Sequence, residues 1–389
     1  MNIENVNKSY WFVIESYVYV GLSSNFVVLY NTLDGVSIES SNNDVVSLMR
    51  ENLKKENNGV LLLSNEILQN TDIKNFIHNL RENFMGDIID SALSKGKPVQ
   101  LHPIFNFSDF SDLQLYKRQS FSSDRNLNDI ISEITIHMDI SAIMDELIPF
   151  LLLLPPHVTI NLLFESHISD IAIIDNLLPV LRNRQSVKKL ICSYKYVAYL
   201  PKEKENNFYY NIVIDFPIDK HLLQDCRNFL YANNLQHKVV FKVASEADYQ
   251  AVENIAENYN FVDYAILPIF NTKNIDFFER YVFLSKSDIF SMPISLRDIF
   301  MHQSINSYDF GKFSISANGD VYANEHFPPI GNICSDTLSD LISKEIKEGK
   351  SWFRIRNHYP CTDCAYQWLC PSPSDYELEI GRSNLCSCN

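Results

Sequence analysis

Glycine is scarce in this chain. There are ten glycines in 389 residues, against a usual ~7% of positions, and none falls between Lys97 and Phe310. Phosphate and nucleotide loops depend on glycine for tight turns and close backbone approach, so the middle of the chain has no glycine-built cofactor loop. Long apolar runs are also missing. The longest, Ile148 to Pro156, falls far short of the ~20 residues that span a bilayer. No dense Lys/Arg cluster is present and the formal net charge is −15, which argues against nucleic acid and anionic membrane as partners. The opening MNIENVNKSYWFVIESYVYV lacks a basic stretch and is interrupted by Glu15, so no secretory signal is expected and a cytoplasmic location is. No HExxH, GxSxG or P-loop pattern occurs. No cysteine precedes Cys192.

What is present is a folded composition, with 46% hydrophobic, 12% aromatic and 21% charged residues. Residues 1–100 read as a small α/β domain. YWFVIESYVYV, NFVVLYNTLDG and VSIES have the aromatic and β-branched content of strands. A helix is expected after Asp44, with Val45, Val46, Met49 and Leu53 on one face. A second is expected from Thr71, burying Ile73, Phe76, Ile77, Leu80 and Phe84. Residues 101–125 are polar and rich in Ser, Asp and Phe, as in a linker. From 126 to 310, strand-like segments (ISEITIHMD, HVTINLLFE, VKKLICSYK, NFYYNIVIDF, HKVVFKVAS, VDYAILPIF) alternate with helical ones. Repeated β-then-α units imply a parallel sheet, here a partial (β/α) barrel of about six strands. In residues 311–389, KFSISANGDVYANE reads as a hairpin turning at Asn318-Gly319, followed by a helix near Ser339–Lys347.

Five of eight cysteines lie in the last 29 residues. Cys361-x2-Cys364-x5-Cys370 places three thiols on one loop, and Cys386 or Cys388 can add a fourth. Four thiolates suit structural Zn²⁺ or an iron–sulfur cluster, and spacing alone does not choose. Cys192, Cys226 and Cys334 read as core or surface thiols.

This C-terminal segment resembles a SPASM domain, the auxiliary-cluster domain of radical-SAM peptide maturases, in the frame SISANGDVYANE…IGNI and in Cx2Cx5C. It departs from that pattern where Asn324 replaces the cysteine after Gly319, where 303–309 hold no cysteine, and where Ser374 ends Cx2Cx5Cx3C. The resemblance implies one [4Fe–4S] cluster where the full domain has two, held by Cys361, Cys364, Cys370 and Cys386, with Cys388 as alternative fourth ligand. The preceding barrel resembles a radical-SAM barrel without CxxxCxxC: ISEITIHMDISAIMDEL has no cysteine, and NLLFESHIS keeps Glu165 but no glycine. Neither SAM binding nor radical-SAM activity is then expected.

The whole chain resembles the pseudo-radical-SAM proteins of GG-leader peptide-modification systems. The resemblance implies a non-catalytic accessory protein that binds a precursor peptide, a genuine radical-SAM maturase, or both. Alternatives are electron transfer to the maturase, or a non-radical enzyme acting at the barrel mouth. The mouth would offer His137, Asp139, Glu165, His167, Lys195, Asp215 and Glu246, which also fit an ordinary polar rim. The first domain resembles leader-peptide recognition elements, which take an extended peptide as an added strand. Its Tyr10, Trp11, Tyr17 and Tyr19 could line a core or a binding surface.

Overall fold

A computed structural model describes residues 8–100, 127–138, 144–164, 171–203 and 207–387. The expected linker, and with it Asp139, Glu165, His167 and Cys388, lies outside the described residues.

The first hundred residues hold two three-stranded antiparallel sheets. The run YWFVIESYVYV divides at a turn into β1 (Ser9–Ile14) and β2 (Val18–Leu22), and these join different sheets. β2, β3 (Val27–Asn31) and β4 (Ser37–Ser40) form one. After α1 (Asn43–Asn52) comes β5 (Val60–Ser64), then α2 (Thr71–Glu82) and β6 (Gly86–Asp90). The second sheet has the order β5-β1-β6, so β5 is an edge strand. Asparagines cap both helices. Asn42 accepts from the Asp44 and Val45 amides, and Asn70 from those of Asp72 and Ile73. The caps interlock, since Asn42 Nδ2 donates to Asp72 at 2.8 Å and Asn70 Nδ2 to Asp44 at 2.6 Å. The buried face of α2 is Ile73, Phe76, Ile77 and Leu80, as its spacing predicts. Phe84 does not belong to it. The helix stops at Glu82, Phe84 takes a left-handed φ of 55°, and its side chain is 76% exposed.

The second body is a nine-stranded open sheet of order β12-β11-β10-β9-β8-β7-β13-β14-β15. Its first six strands are parallel and lie in chain order: β7 (Glu133–His137), β8 (Thr159–Phe164), β9 (Lys188–Ser193), β10 (Phe208–Asp215), β11 (His237–Val243) and β12 (Tyr264–Pro268). Between them run α3 (Met144–Leu153), α4 (Ile171–Arg182), α5 (Lys220–Ala232) and α6 (Glu246–Tyr259), while β9 and β10 are joined without an α-helix. β7, β9, β10 and β11 alternate buried and less buried positions. Ile134, Ile136, Leu190, Ile212, Ile214, Val239 and Phe241 are buried in the same core as Leu147, Leu177, Leu223 and Val252 of the helices. Glu133, Thr135, Ser193, Asn211, Asp215 and Lys242 on the other face are only partly buried.

Three short helices follow: α7 (Ile275–Tyr281), α8 (Lys286–Ile289) and α9 (Leu296–Ser304). β13 (Lys312–Ile315) then returns to lie parallel beside β7, with Lys312 opposite Glu133 and Ile315 opposite Ile136. The hairpin to β14 (Asp320–Tyr322) and then β15 (Gly331–Asn332) extends this sheet. Gly319 makes the turn possible, with φ 86°. The chain ends with α10 (Leu338–Glu348), the cysteine loop and α11 (Asp375–Ile380). Among the described residues no helix is long and apolar enough to cross a membrane.

Candidate metal centre

The chain brings Cys361, Cys364, Cys370 and Cys386 to the wall of one small cavity, shared with Arg356, Gln367, Asn384 and Leu284. Its free volume is about 20 Å³. Local turns place the first three thiols. Cys361–Asp363 forms a single 3₁₀ turn, the Cys364 amide donates to the Cys361 carbonyl at 3.1 Å, and the Cys370 amide to Tyr366 at 3.0 Å. The fourth arrives by long-range pairing. The tail lies beside Leu284, whose amide donates to Leu385 O at 2.9 Å and whose carbonyl accepts from Ser387 at 2.9 Å. Asn384 Nδ2 reaches Cys386 Sγ at 3.1 Å.

Burial pushes the thiols of Cys361 and Cys364 up, and that of Cys370 up to about 12. Arg356 works against this. Its side chain hydrogen-bonds Cys361 and lowers the cost of charge on Cys361 and Cys370. It is itself held by Pro371 O at 2.6 Å and by Glu377, 3.1 Å away. Burial opposes the guanidinium charge, but Glu377 and the nearby thiols outweigh it and raise its pKa.

The donor set fits a thiolate-bound metal group: four soft sulfur donors around one hollow, with a fixed cation against them. Among the described residues, no three His, Cys, Asp or Glu side chains stand as a ready group for a single metal ion. A tetrahedral zinc site requires all four sulfurs at about 2.3 Å from one point. A multi-atom cluster would be held by the same four residues, Cys361, Cys364, Cys370 and Cys386. Such a cluster supplies electron storage or a structural cross-link. The protein's own residues supply the cage and its counter-charge.

Asn324, where the SPASM pattern has a cysteine, sits in a different centre, which Ser374 joins only through its carbonyl; the Ser374 hydroxyl donates to Glu377 instead. Asn324 Nδ2 donates to Asp375 at 2.6 Å and to Asp309 at 3.3 Å. Arg354 bonds the same two carboxylates at 2.9 and 3.3 Å and the Ser374 carbonyl at 2.9 Å. The Ser351 hydroxyl donates to Asp309 at 2.8 Å. Burial raises the Asp309 carboxyl, and Ser351 and Arg354 oppose the rise. Asp309 and Arg354 are mostly buried in this network, while Asp375 is about half exposed.

The described sheet-rim residues, His137, Lys195, Asp215 and Glu246, have separate partners. Asp215 pairs with Lys242 at 3.7 Å, and Glu246 is taken by Arg280 and the Tyr281 hydroxyl, both at 2.8 Å. Lys195 lies over the ring of Tyr194. His137 does have chemical company: its Nε2 is 2.8 Å from Glu325 and 3.1 Å from Ser314 Oγ, which bonds Glu325 at 2.5 Å. The serine and the carboxylate share one ring nitrogen, so this is not the relay of a nucleophilic triad. Ser314 and Glu325 escape a sequence reading because only the β13–β7 pairing brings them to His137.

In the first domain, Tyr19 is buried against the cysteine loop. Tyr10, Trp11 and Tyr17 are partly exposed, and the Tyr17 hydroxyl donates to the Phe84 carbonyl. A groove of about 620 Å³ runs along edge strand β5 and α1. Leu48, Leu61, Leu62, Leu63 and Ile67 line it, and Asp44, Glu51 and Glu66 stand among them.

No family model matches this chain, and no curated protein matches it. Among solved structures it is similar to Streptococcus suis SuiB, bound in one case to S-adenosylmethionine and in another to the precursor peptide SuiA. Each match covers 96% of this chain and 98% of SuiB at 10% identity, with TM-scores of 0.45 and 0.46.

Proposed function

We propose that this protein is a non-catalytic accessory of ribosomal peptide modification, which binds a precursor peptide, a radical-SAM maturase, or both, and carries one auxiliary iron–sulfur cluster. The observation that carries the reading is the groove beside β5. A strand at the edge of a sheet leaves backbone groups free to pair with an extended peptide. Here that edge adjoins leucines that can take alternate side chains, and the carboxylates among them favour a segment bearing Lys or Arg. The absence of a CxxxCxxC motif supports a role outside radical chemistry. The radical-SAM-like partial barrel would then serve as scaffold, the SPASM-like segment as cluster holder, and the GG-type leader of the precursor as ligand.

The test is a binding measurement with the cognate precursor peptide and maturase offered separately to the immobilised chain. Binding of either is expected. Leu62, 48% exposed in the groove, offers a control: Leu62→Asp should weaken precursor binding roughly tenfold without unfolding the domain. Failure of both partners to bind would remove this reading. A second reading, acid–base chemistry at the sheet rim, draws on the His137–Glu325 pair. Loss of precursor processing in His137→Gln with peptide binding intact would favour it.

A further inference from the structure

The loop that carries three of the four thiols is also the seat of the N-terminal domain. The β2-β3-β4 sheet has two buried faces. Val18, Val20, Val27 and Leu29 point into the domain's own core with α1 and α2. The alternate residues Tyr19, Val28 and Tyr30 point away from it, into a separate cluster with Ala365, Tyr366, Leu369 and Cys370. At Gly21 the approach is so close that a Cβ would lie 1.7 Å from the Ala365 carbonyl oxygen. The Tyr19 hydroxyl hydrogen-bonds the Trp368 backbone, and the Trp368 carbonyl accepts from His302 Nδ1 of α9 at 3.0 Å. The Ser24 amide donates to Asp363 Oδ1, within the Cys361–Asp363 turn, at 3.2 Å.

A continuous path leads from this seat to the groove. Arg50 of α1 donates to the Ser23 and Ser24 carbonyls at 3.1 and 2.9 Å. Leu48 and Glu51 of the same helix line the groove.

We infer that filling the four-thiol cavity with metal fixes the seat of the N-terminal domain, so that metal occupancy and the order of the β2-β3-β4 sheet rise and fall together. The physical reason is that the 361–370 loop contains no α-helix or strand and contributes buried side chains to the seat. A metal group bonded to three of its residues and to Cys386 removes loop conformations that the contacts alone must otherwise suppress. By linkage, what stabilises the seat also tightens the metal site. The inference rests on the metal reading of the thiols but not on peptide binding.

Amide hydrogen exchange on the full-length protein tests it, comparing metal-stripped protein with samples reconstituted anaerobically with Fe²⁺ and sulfide or with Zn²⁺ alone. Metal per chain is measured in each sample. Filling should slow exchange in β2 and β3 about tenfold or more, while β10 and β11 stay unchanged. Tyr19→Phe, which keeps the ring and drops the hydroxyl, should bind metal and lose part of this protection. Gly21→Ala should lose more of it. Metal uptake with unchanged exchange in β2 and β3 overturns the inference and leaves the metal site standing. Uptake of neither metal group overturns both.

Discussion

Two polar centres lie in the C-terminal segment, and they are built on opposite plans. At the Arg354 centre every charge has its partner within the protein: two carboxylates, a guanidinium, an amide and a hydroxyl close on one another. At the cysteine cavity four thiols surround a hollow, and Arg356 is a cation set against the charge they would carry as thiolates. A network of the first kind is a structural tie. In the proposed reading, an external cluster completes the open thiol set. The Asn324 side chain belongs to the first, Cys361, Cys364, Cys370 and Cys386 to the second. Ser374 touches both: its carbonyl accepts from Arg354, and its hydroxyl donates to Glu377, the partner of Arg356.

The contrast can be broken from either side. The largest effect is expected at Arg354. Arg354→Ala leaves the buried Asp309 carboxylate without its cation beside the half-exposed Asp375, and should cost about 3 kcal/mol in urea unfolding whether or not metal is bound. Cys361→Ser and Cys370→Ser should instead abolish most metal uptake. In metal-stripped protein each should change stability by no more than about 1 kcal/mol, because a small polar atom replaces a sulfur. Asp309→Asn sharpens the comparison. It removes a buried charge while keeping acceptor capacity toward Ser351, so its cost should stay below that of Arg354→Ala in the same unfolding assay.

The smallest effect is a matter of pH. Lys344 leads the interactions that lower the Asp336 carboxyl to about 2, below its ordinary 3.8. A depressed folded-state pKa contributes stability above pH ~4, and that contribution disappears as pH falls toward about 2. Asp336→Asn should therefore lose at most about 2 kcal/mol at neutral pH and almost nothing near pH 2, which a urea series at the two pH values would reveal.

The legible parts of this fold are the local ones. Six strands of the parallel sheet, the helices between them and the 318–319 turn follow from periodicity and turn chemistry. So does the buried face of α2 up to Leu80. The misplacement of Phe84 came from continuing a helical spacing past the residue where the backbone turns left-handed. β5 and β6 were not legible: VLLLS is an apolar run without alternation, and GDIID is polar enough to pass for a loop. Three cysteines of the candidate site are neighbours in sequence, so their grouping could be read directly. Cys386 reaches them only by pairing with the Leu284 segment, and the seat of Tyr19 and Gly21 on the same loop depends on contacts across more than 300 residues. Periodicity carries no information about such pairings.

The central claim is that these four thiols form the cage of a metal cluster. Anaerobic purification followed by iron, sulfide and zinc analysis, with an absorption spectrum, tests it most directly. The account predicts about four iron and about four sulfide per chain, with the broad visible absorption of thiolate-bound iron. One zinc per chain without iron would contradict the cluster and reduce the site to a structural clamp. No metal after reconstitution would contradict the cage itself.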